Sequence, residues 1–153
     1  MEKSIKCGVL VLFLACTVSV GTTTEILYSA DDLGGGRWQY NYTVKNIELT
    51  NAIRKFVISF DYNIYANLAV AAGPLGWQQV VIQPDTDYEI EGEFNAKGTG
   101  ISAGESLGGF SVSFDWGGTG IPGSQYYAVI NPTNYTVESS GVTTKDPAWI
   151  IPE

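Results

Sequence analysis

Beyond residue 22 the chain is written in period two, and that alternation constrains its fold more than any other feature. Trp38, Tyr40, Tyr42 and Val44 alternate with Arg37, Gln39, Asn41, Thr43 and Lys45. Successive side chains of an extended chain point to opposite faces, so this stretch reads as a half-buried strand with an aromatic inner face. Phe56, Ile58, Phe60 and Tyr62 repeat the pattern, as do Phe110, Val112, Phe114 and Trp116 against Ser111, Ser113 and Asp115. Residues 68–72, 77–82, 88–94, 125–130 and 135–138 supply further short strands, separated by Gly, Pro and Asn clusters. No segment keeps apolar residues at helical spacing over three turns. The expected fold is all-β: a single antiparallel β-sandwich, immunoglobulin-like, of seven to eight strands, with a barrel as the alternative closure.

The first 21 residues follow a different rule. Lys3 and Lys6 precede an apolar run from Gly8 to Ala15, and small residues follow from Thr17 to Gly21. A charged start, a short apolar centre and a small-residue end read as a secretory signal peptide cleaved after Gly21. The apolar centre is too short to span a bilayer, and no later stretch approaches the ~20 apolar residues a spanning helix needs. Residues 22–153 remain as one β-sandwich domain with a short unstructured C-terminal end. Leu12-Phe-Leu-Ala-Cys16 also approximates a bacterial lipobox, so a lipoprotein anchored through Cys16 is the alternative to cleavage at Ser19-Val-Gly21. The expected location is secreted and extracellular, or the cell envelope.

Composition excludes several chemistries. There is no histidine, and both cysteines, Cys7 and Cys16, lie in the leader. Serine and cysteine hydrolases of the usual kind lack their base, and zinc sites built on His or Cys lack their ligands. Residues 22–153 carry fifteen acids against six bases, a charge of −9, and Arg54-Lys55 is the only adjacent basic pair. That balance argues against nucleic acid and against anionic membrane surfaces.

Asp85, Asp87, Glu89, Glu91 and Glu93 share one parity, so an extended chain would place all five on one face, roughly 6.5–7 Å apart. A solvated outer face that blunts an edge strand explains them. The alternative is calcium, with Asp85 and Asp87 beside Pro84 as the pair able to curl around an ion. A glycoside hydrolase would need two carboxylates in unlike settings, one in an apolar pocket, and this run offers no such pocket. Gly34-Gly-Gly36 and Gly117-Gly-Thr-Gly120 lack the Lys and Ser/Thr of a phosphate loop and read as turns or bulges. Asn41-Tyr-Thr43 and Asn134-Tyr-Thr136 match the glycosylation acceptor. Trp77, Trp116, Tyr126 and Tyr127 lie beside turns and are the candidate rings for stacking on a sugar. Tyr126 and Tyr127, being adjacent, must face opposite ways.

Trp38-x-Tyr40-x-Tyr42-Thr-Val-x-Asn46 followed by Phe56-x-Ile58-x-Phe60-Asp61 resembles the opening strands of bacterial exported immunoglobulin-like domains. Gly76-Trp77, Gln83-Pro84-Asp85, the run from Gly100 to Trp116 and Gly118-Thr-Gly-Ile-Pro-Gly-Ser-Gln125 are more particular. Over roughly residues 25 to 143 they are similar to uncharacterised bacterial secreted proteins of the PEP-CTERM-associated type. That resemblance implies no known active site and an exopolysaccharide or biofilm setting. It departs at Ile151-Pro152-Glu153, where the sorting tail would begin and the sequence stops. The combined expectation is a secreted module without enzymatic activity or cofactor, structural or interacting, at the bacterial cell surface or in its matrix. Its partner would be polysaccharide or another surface protein. A carbohydrate-binding module of the matrix is the alternative, and a small acid-only glycoside hydrolase the third reading.

Overall fold

The computed structural model describes residues 22–151. The expected leader at residues 1–21, the Cys16 lipidation site within it, and residues 152–153 lie outside the described residues.

Ten strands form, in the order β1 (Thr24–Gly34), β2 (Arg37–Asn46), β3 (Ile53–Phe60), β4 (Tyr65–Ala72), β5 (Trp77–Ile82), β6 (Gly92–Ile101), β7 (Ser106–Trp116), β8 (Tyr126–Ile130), β9 (Val137–Val142) and β10 (Thr144–Lys145). They make two five-stranded sheets, β10-β1-β2-β7-β4 (sheet A) and β5-β6-β3-β8-β9 (sheet B). All pairings are antiparallel except β1 with β10. Among the described residues the fold is an all-β sandwich of two sheets. Among the described residues no helix is long and apolar enough to cross a membrane.

The alternation decides which side of each strand is buried. Tyr40, Tyr42 and Val44 of β2, Phe56, Ile58 and Phe60 of β3, and Phe110, Val112 and Phe114 of β7 all point inward and are fully enclosed. The rings meet edge-on: Phe56 with Phe110 at 5.0 Å and 88°, Phe60 with Tyr65 at 5.1 Å and 83°, and Trp77 with Phe110 at 5.3 Å and 89°. Such pairs add about 0.5–1.5 kcal/mol each beyond area burial. The Gly34–Gly36 run closes the β1–β2 hairpin with φ of 85°, 64° and 81°, a path open cheaply only to glycine.

Buried polar groups stitch the two sheets at their ends. The Tyr127 hydroxyl on β8 donates to the Thr24 carbonyl at 2.9 Å, and Thr24 Oγ1 on β1 lies 2.7 Å from Ser139 Oγ on β9. Asn46 Nδ2 donates to the carbonyls of Asn51 (3.1 Å) and Ile101 (3.0 Å), while its Oδ1 accepts from the Leu49 amide at 2.9 Å. The Tyr40 hydroxyl reaches the Gly123 carbonyl at 2.6 Å, and the Tyr42 hydroxyl donates to Gln125 Oε1.

Three expectations need correction. Among the described residues the strands number ten rather than seven or eight, because β1 and β10 carry weaker alternation and pair with each other over long range. The acidic run is no extended strand. Residues 85–90 form a turn closed by Asp85 and Ile90, each amide donating to the other's carbonyl (2.8 and 2.9 Å), with Glu89 at φ 53°. Asp85 Oδ1 accepts the amides of Asp87 and Tyr88, and that side-chain turn overrides the alternation. The C-terminal end is tied down as well: β10 pairs with β1, the Asp146 amide donates to the Tyr28 carbonyl at 2.8 Å, and Trp149 packs 5.9 Å from Tyr28.

Candidate binding face

The two outer faces of the sandwich differ in chemistry. Sheet A presents a hydrogen-bonded polar lattice. Arg37 donates to Asp115 (2.9 Å), Ser113 (2.8 Å) and the Asn67 carbonyl (3.1 Å), and Asn41 bonds Asp31 and Ser111. The Asn67 amide nitrogen lies 2.6 Å from Asp115 Oδ2. That bond, followed by the Arg37 guanidinium, holds the Asp115 carboxyl below the usual carboxylate range. This is opposite to the direction a general acid requires.

Sheet B turns apolar side chains outward. Val80 on edge strand β5 aligns through Asn95 with Val57, and Val57 with Ala128 and Ser140. One row over, Ile82 aligns with Glu93, and Tyr126 with Val142. Tyr126 is 72% exposed and Val80 61%, with Ile82 and Val142 also open to solvent.

Tyr126 stands between two hollows. On one side is an open groove of about 400 Å³ walled by Val57, Ala128, Ser140 and Val142. On the other is a tighter depression of about 170 Å³ lined by Ser59, Asp61, Ile64, Glu91 and Ser124. Asp61 Oδ1 is engaged by the Asn63 amide (2.8 Å) and Nδ2 (3.0 Å), which fixes the carboxylate plane while Oδ2 stays available. A third hollow, about 270 Å³, lies elsewhere, where Arg54 and Thr133 flank Glu138. Glu138 Oε1 accepts from Asn51 (3.1 Å) and Asn131 (3.2 Å).

The candidate rings separate on this scaffold. Tyr127 is buried, its hydroxyl bonded to Thr24. Trp77 is only 8% exposed and lies against Phe56 and Phe110, with its indole directly over Gly98 across the β5–β6 pair. Trp116 is half-buried on Tyr65 at 5.1 Å, and its Nε1 donates to the Gly120 carbonyl at 2.9 Å. Tyr126 alone of the four presents its ring to solvent. Asp85 and Asp87 sit in the 85–90 turn, and among the described residues no three acids converge as metal ligands would.

No protein-family model matches this sequence, and no curated protein matches it. Among solved structures it is similar to a cohesin module from a Clostridium perfringens family 33 glycoside hydrolase. The identity is 6%, the TM-score 0.49, and the overlap covers 82% of this chain and 98% of that one.

Ser59 and Asp61 are members of this face that carry no site signal in the sequence, and Glu91, which the sequence places only in the acidic run, joins them here. Ser59 shares outward parity with Val57 on β3, and Asp61 follows the same strand; β8 sits beside β3 only in the folded sheet. What the arrangement offers is an aromatic ring and aliphatic groove for contact, with hydroxyl and carboxylate oxygens for hydrogen bonds.

Proposed function

We propose that the chain is a non-enzymatic interaction module, exported and displayed at a bacterial surface or in its matrix, with the outer face of sheet B as its working surface. One observation carries this reading: of the exposed large apolar side chains that lie on strands, Val80, Ile82, Tyr126, Val137 and Val142 belong to sheet B against Leu33 and Val70 on sheet A, whose outer face is a hydrogen-bonded polar lattice. Contiguous apolar patches rimmed by polar groups mark interaction surfaces on soluble domains. The leader pattern of residues 1–21 and the charge of −9 on the remainder support export and solubility outside the cell.

Two measurements test the reading. A photo-crosslinking residue placed at Tyr126 should form adducts in the native host, and one at Asp31 on sheet A should not. Equal adducts from both positions would dismiss the face assignment. N-terminal sequencing of exported protein should begin at Thr22; palmitate labelling that depends on Cys16 would replace cleavage with lipid anchoring.

A further inference from the structure

We infer that the sheet B face binds a neutral polysaccharide, one sugar ring stacking on Tyr126 and its neighbours lying in the two flanking hollows. The inference rests on the assignment of that face as the working surface and names its ligand class.

Tyr126 supplies a ring whose face is free, because its neighbour Tyr127 takes the inward position and all the core contacts. A pyranose has one face of C–H bonds and a rim of hydroxyls, and an exposed aromatic ring covers the first. The depression beyond Tyr126 supplies partners for the second. Ser59 and Ser124 are hydroxyls that donate or accept, and Asp61 and Glu91 are acceptors only. Charged acceptors make hydrogen bonds roughly twice as strong as neutral ones, and sugar hydroxyls are donors that match them. The groove on the opposite side is walled by aliphatic groups, with the Ser140 hydroxyl among them. A chain of sugars crossing Tyr126 therefore meets apolar wall, ring, and oxygen-rich hollow in sequence.

The charges select among saccharides. Neither hollow is lined by a lysine or arginine, while Asp61 and Glu91 both border the site. A uronate or sulfated polymer would bring its anions toward those carboxylates, so the site takes uncharged sugars. Two carboxylates without a third ligand are too few for a hard cation that wants six to eight oxygens.

Native affinity electrophoresis of the purified protein tests this, in gels containing galactomannan, xylan, mixed-linkage β-glucan, dextran or alginate. At least one of the four neutral polymers should retard the protein, and alginate should not. Tyr126→Ala should weaken retardation at least about tenfold. Glu91→Gln should weaken it several-fold, and Glu48→Gln, which makes the same charge change at a remote exposed site, should leave it intact. Near-ultraviolet circular dichroism establishes that each variant is folded. Absence of retardation by every neutral polymer would overturn the inference, as would binding that survives Tyr126→Ala or alginate binding of equal strength. Protein adducts from the crosslinker at Tyr126 without any retardation would overturn the sugar assignment alone; neither adducts nor retardation would overturn the face as well.

Discussion

Gly98 on β6 is the position where one added methyl should reveal the packing of the core. Its strand partner is Trp77, whose indole lies flat over the glycine in the space a side chain would take. A methyl at Gly98 would sit 2.6 Å from Trp77 Cε2 and nearer still to Cγ and Cδ2. These atoms are the root of the ring, not the tip of a flexible chain, so relief requires the whole indole to tilt. Phe110 at 5.3 Å and Phe56 at 5.9 Å block movement inward, leaving rotation toward solvent. Overpacking of this kind costs about 1–3 kcal/mol. Gly98 lies outside the positive-φ region, so alanine also gains about 0.4–1 kcal/mol by restricting the unfolded chain. The net effect of Gly98→Ala is a loss of about 1–2 kcal/mol. With an unfolding entropy of about 2.1 cal/mol/K per residue over the 130 described residues, that lowers Tm by roughly 4–7 °C. Thermal melts with tryptophan fluorescence measure both the loss and the displaced indole. Gly123→Ala, where a methyl meets nothing within 4 Å, should be neutral or slightly stabilising. In a Trp77→Leu background the Gly98→Ala penalty should vanish. A Gly98→Ala protein as stable as the wild type, with unchanged fluorescence, would refute the stacked arrangement.

Other perturbations have expected outcomes of similar sharpness. Burial holds the Tyr40 and Tyr42 hydroxyls well above the usual tyrosine range and pushes Tyr65 up to about 12. Unfolded tyrosines ionise near about pH 10, so the native state keeps protons that the unfolded chain releases. Stability from this source is full below about pH 10 and falls as pH rises toward about 12; urea midpoints with phenolate absorbance should show both together. Asn46→Ala removes a side chain with three backbone partners and strands two carbonyls and an amide, costing about 2–4 kcal/mol in chemical denaturation. Asp85→Ala should cost about 1 kcal/mol because Asp85 Oδ1 holds two amides of its turn, whereas Asp87→Ala should cost little. Melts of the wild type in excess calcium and in chelator should coincide.

Parts of this fold are legible in the sequence. The inward sets of β2, β3 and β7 follow aromatic alternation directly, and β5 begins and ends where Trp77 and Pro84 suggest. β1 escaped because its inward row of Thr24, Ile26, Tyr28 and Ala30 is interrupted by buried Leu27, which is covered by β10 at Thr144. β9 and β10 are polar and short; β9 pairs with its neighbour β8, but β10 pairs with β1, a partner distant in sequence. At 85–93 the period was right and the conformation wrong, because Asp85 can close its own turn. The outward placement of one member of the Tyr126–Tyr127 pair followed from parity alone. Its companions did not: Asp61 and Glu91 reach Tyr126 through the β6-β3-β8 order of the sheet, and no local signal records that order. Trp77 sits beside a turn as expected but is buried, because the absent side chain at Gly98 makes room for it.

The parallel β1–β10 pair has a consequence for how the molecule assembles. Thr24 waits on Ser139, Leu27 on Thr144, and the Tyr28 carbonyl on Asp146, so the earliest strand finds its outer neighbours among the last to arrive. A nascent or threading polypeptide cannot complete that margin until residues 139–146 have emerged. The tail is thus a clasp, and truncation just before Thr144 should leave the first strand with an open border, prone to pairing with other copies.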